Sequence, residues 1–298
     1  MPRETRCPLS RMPISGNPFY LSAMYAFVND RFVLLKEAAI PATDLAINRG
    51  YGIFDFFKTI GGKPVFLDDH LDRFYRSADS LRLPVSLSRS GLKAVLTELM
   101  ERNGLDYSGV RLTLTGGCSE DGYSIGVPNL IISQQALLPL PAAISQQGIA
   151  LLLLNHQRQL PNVKTIDYLT PIWLQPRLAT AGANDFLYHK DGVISECPRA
   201  NVFVVLNENR IVTPKSFVLS GITRSKLLVL ATPYYTIEET DITLDEITTA
   251  KEVFITSTTK GVLPVASIDG KGIGSGTQSV SSHLSHLLQK AVQDSIRD

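Results

Sequence analysis

Five short segments of this chain hold residue types that could act on a small molecule. In PNVKTIDYL, Lys164 follows a Pro-Asn turn and is flanked by Val163, Ile166 and Leu169. A lysine that loses water in such a setting gives up its charge more easily, and its free amine can attack an aldehyde to form an imine. Most lysines with apolar neighbours instead reach out to water. In DGVISECPRANVF, a turn at Asp191-Gly192 leads into a strand carrying Glu196. A carboxylate among apolar residues is suited to holding a ring nitrogen protonated, unless it is an edge-strand glutamate in solvent. In VLSGITRSKLLVLA, a glycine precedes Ile222, Thr223 and an apolar helix. Free N–H groups, the Thr223 hydroxyl and the helix dipole could together cradle a phosphate, although an ordinary capped helix has the same pattern. The hydroxyl-rich FITSTTKGVLPV offers Thr258 as a further donor where a strand gives way to a loop. Arg73, in HLDRFYRSA, could grip an anion with two parallel hydrogen bonds or pair with Asp69 one turn earlier.

Positioning these groups takes two regions of different pattern. The first opens with hairpins: Tyr25 to Asn29 with Phe32 to Leu35, then Phe54 to Ile60 with Pro64 to Leu67 around Gly61-Gly62. A helix capped by Asp68 or Asp69 follows, with Leu71, Phe74, Tyr75, Ala78 and Leu81 at helical spacing. A second helix covers about 92–102, and strands at 110–115 and 130–134 complete an α+β domain over residues 24–138. The proline-containing stretch LPLPAAISQQG separates the regions and predicts an interdomain linker over 139–148. The second domain, 149–298, reads as strands near 149–154, 185–189, 201–206, 210–213, 252–256 and 262–268. Its helices fall at 172–181, 222–231, 243–248 and 280–294. Strands outnumber the helices that could cross between them, so the fold class is α+β, not a doubly wound parallel sheet. KGIGSG superficially matches a dinucleotide loop, but the strand before it and the long βαβ context are missing.

A chain of 298 residues, 44% of them hydrophobic, has apolar material for two domains. With 29 basic and 28 acidic residues the net charge is +1, which gives no single-sign field for nucleic acid or anionic membrane and points to a small-molecule partner. No apolar run reaches the roughly 18 residues of a membrane span. Cys7, Cys118 and Cys197 are too scattered for a disulfide framework or a CxxC site, and reduced thiols in a cytoplasmic protein are the simplest reading. The five histidines show no metal-ligand spacing. Residues 1–23 lack the continuous apolar core of a secretory signal and are read as a disordered extension, with Met24 a possible start.

In order and spacing, RGYGIFDFFKT, HLDRFYRSADSLRL, NVKTIDYL, DGVISECPRANVF, LSGITR and TSTTKGVLPV together resemble the class IV (fold type IV) aminotransferases. The resemblance runs from about Tyr25 to the C-terminal helix and is closer to the D-amino-acid branch than to the branched-chain enzymes. It implies pyridoxal 5′-phosphate bound as a Schiff base on Lys164, with Glu196 at the pyridine nitrogen. Arg73, the Ile222 and Thr223 amides and Thr258 would hold the phosphate. It implies too a small N-terminal α+β domain, a larger C-terminal domain with a barrel-like β-core, the cofactor in the cleft between them, and a homodimer.

The implied activity is ping-pong transamination between an amino acid and a 2-keto acid. A buried substrate carboxylate needs a cation, and the D-amino-acid branch usually supplies an Arg-x-His pair after the strand matching Val110 to Thr115. Here that loop reads GGCSEDGYS, with neither residue. Arg49 and Arg199 are expected to replace the pair, with Phe54, Lys58 and Arg111 as further pocket residues. The first expectation is a D-amino acid with 2-oxoglutarate or pyruvate as acceptor. An L-branched-chain aminotransferase, an aminodeoxychorismate-type lyase and a non-catalytic carrier of the cofactor are the alternatives.

Overall fold

The computed structural model describes residues 24–274 and 279–297. The expected disordered extension over 1–23 and the end of the KGIGSG stretch lie outside the described residues.

The first half builds one antiparallel sheet from Tyr25–Val28 (β1), Arg31–Leu34 (β2), Gly52–Ile60 (β3), Lys63–Pro64 (β4), Ser108–Thr115 (β5) and Leu130–Ala136 (β6), in the order β2-β1-β6-β5-β3-β4. Three helices accompany it: Leu45–Arg49 (α1), Leu67–Ser80 (α2) and Arg89–Asn103 (α3). Alternation along β3 sends Ile53, Phe57 and Thr59 into the interior with Asp55, the one charged member of that row. Helix α2 packs on β3 through Leu71, Phe74 and Ala78, and α3 adds Leu92, Leu96 and Leu99 to the same core. The expected cap of α2 is wrong. The helix starts at Leu67 behind Phe66, whose φ of 52° turns the chain, and both Asp68 and Asp69 lie in the first turn, where they complement the helix dipole.

Between the sheets, the segment read as a linker carries a short helix, Ala142–Gln147 (α4), and the chain crosses there from β6 to the second sheet. That sheet holds Ile149–Asn155 (β7), Asp185–Lys190 (β8), Val193–Ile194 (β9), Glu196–Cys197 (β10), Ala200–Asn207 (β11) and Arg210–Thr213 (β12). It continues with Thr236–Glu239 (β13), Ile242–Thr243 (β14), Glu252–Ser257 (β15), Gly261–Ile268 (β16) and Lys271–Gly272 (β17). Its order is β13-β12-β11-β15-β16-β7-β8-β9-β14, with β10 on β11 and β17 on β16. The β12–β13, β16–β7 and β7–β8 pairs are parallel. The sheet curls into a half-barrel.

Strand β11 shows why its sequence is an unbroken apolar run: Val202 and Val204 face one core, Phe203 and Val205 the other. The second of these cores is closed by Ile222–Ala231 (α7) and Ser279–Ser295 (α9). The expected helix over 172–181 is two pieces, Leu169–Trp173 (α5) and Gln175–Ala181 (α6), because Pro176 starts a new helix and cannot continue the old one. Leu244–Thr248 (α8) opens with a capping box between Thr243 and Glu246. Among the described residues, no helix is long and apolar enough to cross a membrane.

Candidate active site

A cleft of about 650 Å³ runs between the two sheets and draws its lining from β3, β5, the 158–175 segment, β10, β11, the N-terminus of α7 and the end of β15. Lys164 sits on its wall. The lysine's segment belongs to the second half of the chain but docks on the edge of β3. Phe54 N–H donates to the Lys164 carbonyl at 2.9 Å, and Ile166 N–H to the Gly52 carbonyl at 3.1 Å. Gly52 permits this approach: a Cβ there would meet the Leu114 carbonyl oxygen at 2.9 Å and Ile166 Cδ1 at 3.1 Å. The Lys164 amine lies 4.5 Å from the Phe54 ring centre. Burial, helped by the nearby Arg73 charge, lowers its pKa to about 7, so near neutrality much of it is a free amine.

Glu196 is buried and both its oxygens are engaged. Arg158 Nε donates to Oε1 at 2.8 Å and the Leu219 N–H to Oε2 at 2.9 Å. Arg158 also donates to the carbonyls of Val163 and Pro161, so one guanidinium ties the lysine's loop to the carboxylate. Burial pushes the Glu196 pKa up while Arg158 pulls it down. Sequence reasoning missed Arg158 because its task is defined by a partner 38 residues away.

Ile222 and Thr223 open α7 on the cleft behind Gly221, and no side chain caps that helix. Its first N–H groups are therefore available to an anion. A Cβ at Gly221 would come within 2.0 Å of Asn201 Oδ1, so any larger residue must displace that side chain. Thr258 lines the same end of the cleft. Beside it, the Thr256 hydroxyl is sealed from solvent and has no hydrogen-bond partner among the described residues, an orphan that a bound ligand would explain.

Arg73 lines the cleft but does not pair with Asp69. It forms a two-pronged bridge to Asp55, Nε to Oδ2 and Nη2 to Oδ1, each 2.8 Å, while Asp69 pairs with Lys226 at 2.8 Å. His70 lies 2.7 Å from Asp55 Oδ1 through Nδ1. Burial opposes the charge on Asp55, yet Arg73 and His70 hold its pKa well below the usual carboxylate range. An acid in the core-facing row of β3 was the readable signal for this cluster.

The other expected pocket residues divide. Phe54 and Arg111 line the cleft together, the guanidinium 4.2 Å from the ring centre. Arg199 lines it too, its side chain 63% exposed and only loosely held, 3.5 Å from Asp185. Lys58 does not line the cleft. It lies on a small cavity of about 20 Å³ with Ile222, Thr223 and Thr258. Arg49 stands exposed at the end of α1, bonded to the neighbouring Asn48 carbonyl, away from the cleft of its own chain.

A free amine, a buried carboxylate and an uncapped helix start lie around one cleft whose walls carry more cations than anions. That donor set fits a pyridine aldehyde with a phosphate: Lys164 for the aldehyde, Glu196 for the ring nitrogen, Ile222, Thr223 and Thr258 for the phosphate.

The profile of the family described as "Amino-transferase class IV" matches residues 52–268. A D-alanine aminotransferase of Bacillus licheniformis is 31% identical over 279 residues, spanning 92% of this chain and 97% of the relative. A T.th. branched-chain amino acid aminotransferase with pyridoxamine 5′-phosphate superposes with a TM-score of 0.85 at 24% identity, over 92% of this chain and 96% of that one. The Escherichia coli branched-chain enzyme gives 0.85 at 23% identity, over 93% and 97%. At these identities the two structures speak for the fold.

Proposed function

This chain belongs to the class IV aminotransferase family, whose cofactor is pyridoxal 5′-phosphate, and on that premise we propose that it moves the amino group of a D-amino acid to 2-oxoglutarate or pyruvate. The observation that carries the transamination is the Lys164 amine, its pKa lowered to about 7 by burial in a cleft that also holds Glu196. The D-preference is supported by the 31% identity to a D-alanine aminotransferase.

The bound cofactor supplies a carbonyl carbon that captures the amino group and a ring that accepts the electrons left behind at Cα. The protein's part is proton management and orientation. Lys164 Nζ, once free, would take the Cα proton as general base and, as general acid, give it up two bonds away, at the carbon that captured the amino group. Glu196, fixed by Arg158 and the Leu219 amide, keeps the ring nitrogen's proton in place. Arg199 and Arg111 give the substrate carboxylate its cations; Arg111 has no acidic partner among the described residues. Arg49 enters this reading through a homodimer in which it closes the partner's cleft. The reaction runs in two halves through one pocket, so the same cations must receive both the amino acid and the keto acid.

The apolar lining from Phe54, Phe56, Leu137, Ile166 and Ile172 favours a second reading, an L-branched-chain aminotransferase. Mixing the holoenzyme with single D- and L-amino acids and following its absorbance decides between them. Conversion to the pyridoxamine form by D-alanine or D-glutamate is expected. Conversion by L-leucine or L-valine alone selects the second reading, and no conversion by any amino acid removes both.

A further inference from the structure

Lys58 is a half-buried lysine whose charge has no partner among the described residues. Strand β3 points Phe54 and Phe56 into the cleft, and Lys58, two residues further along the same face, continues past them into the cavity of about 20 Å³. Among the described residues its amine makes no hydrogen bond and no ion pair, and burial alone lowers its pKa. Of the other half-buried lysines, Lys93 has Asp68, Lys226 has Asp69 and Lys260 has Asp185, while Lys164 is the amine of the cleft. Among the described residues, the only other titratable side chain on the cavity is His70. Burial lowers the pKa of His70, and its Nδ1 lies 2.7 Å from Asp55 Oδ1.

The remaining walls place the amine beside the proposed phosphate cradle. Ile222, Thr223 and Thr258 line both this cavity and the cleft, so the cavity lies against the back of the phosphate cradle. Ser257 also borders both. A desolvated ammonium without a counterion is costly, whereas one facing a dianion across a thin polar wall is stabilised.

We propose that Lys58 is a positioning residue for the cofactor, supplying the cation that holds its phosphate monoester as a dianion from behind the cradle. This role rests on the family's cofactor and is independent of which amino acid is the substrate.

The test compares two ligands that differ only in the phosphate, and neither requires turnover. For Lys58→Met, affinity of the full-length apoenzyme for pyridoxamine 5′-phosphate should fall at least about tenfold, while affinity for pyridoxamine is unchanged. Lys58→Arg should restore most of the loss. The ³¹P resonance of the wild-type holoenzyme should stay pH-independent, while in Lys58→Met it should titrate as the second phosphate ionisation, about pH 6 when free, returns to range. The Lys58→Met apoenzyme should melt no lower than wild type, because an unpaired buried charge has been removed. Equal losses for both ligands, or a ³¹P profile identical to wild type, would overturn the proposal. A raised KM for the amino acid with phosphate affinity intact would do the same and place Lys58 with the substrate. Lys58→Gln repeats each measurement should the methionine variant not fold.

Discussion

Lys164 changes from ammonium to amine near pH 7 because burial takes away the water that would solvate its charge, and Arg73 adds repulsion. Attachment of the aldehyde cofactor to the apoenzyme should therefore accelerate as pH rises through about 7 and then level off. A lysine in water would keep gaining rate towards its ordinary pKa of about 10.4; stopped-flow absorbance distinguishes the two. The same shift has a sign for stability. Between the two pKa values the unfolded chain binds more protons, so this residue's contribution to apoenzyme stability rises with pH across that window. The rise should be missing from Lys164→Met. At Glu196 the controlling neighbour is Arg158. Removing it in Arg158→Met leaves a buried carboxylate unpaired and should cost about 3 kcal/mol in urea denaturation. Glu196 would then protonate at higher pH, so the acid limb of the rate profile should shift upward. For the substrate, Arg199→Ala should raise KM by about one to two orders of magnitude with a smaller change in kcat, the loss expected for a charge-assisted hydrogen bond.

The proposed phosphate end rests on the start of α7, and α7 is backed by a helix whose own start is held from far away in sequence. Helix α9, which packs on α7 and β16, has its N-terminus bound by Glu252: Val280 and Ser281 N–H donate to its carboxylate at 3.0 Å, and the Ser281 hydroxyl at 2.9 Å. Glu252→Ala should lower stability by roughly 2–3 kcal/mol, measured by thermal or urea unfolding. Gly221→Ala should leave α7 formed, since the extended N-cap backbone (φ −68°, ψ 136°) is open to alanine, yet push Asn201 aside and weaken phosphate binding. Much of this architecture was legible. Strand β12 and helix α7 have the expected boundaries because their apolar patterns answer to their own burial. Strands β9, β10 and β14, two residues each, are defined by pairing with distant chain and carry no period to read. The site divides in the same way. Lys164, Glu196, Thr223 and Thr258 sit in segments with local turn or cap chemistry, and all four reach the cleft. Arg158, Asp55 and Thr256 act through partners, or through the lack of one, that only the folded chain displays. The Arg49 expectation came from the resemblance, and its own chain places it outside the cleft.

The molecule as a whole is two sheets that each bring half of a site. The first supplies Phe54, Arg73 and Arg111; the second supplies Glu196, Arg199, the α7 start and Thr258; and the Lys164 loop is pinned to both, through β3 on one side and Arg158 on the other. Such a cleft holds the amine still only when both halves are in place. The most direct test is borohydride reduction of the holoenzyme, followed by proteolysis and mass mapping. One pyridoxyl group per chain is expected, on the peptide containing Lys164. A label on Lys58 or any other lysine, or no label on a protein that still transaminates, would contradict it.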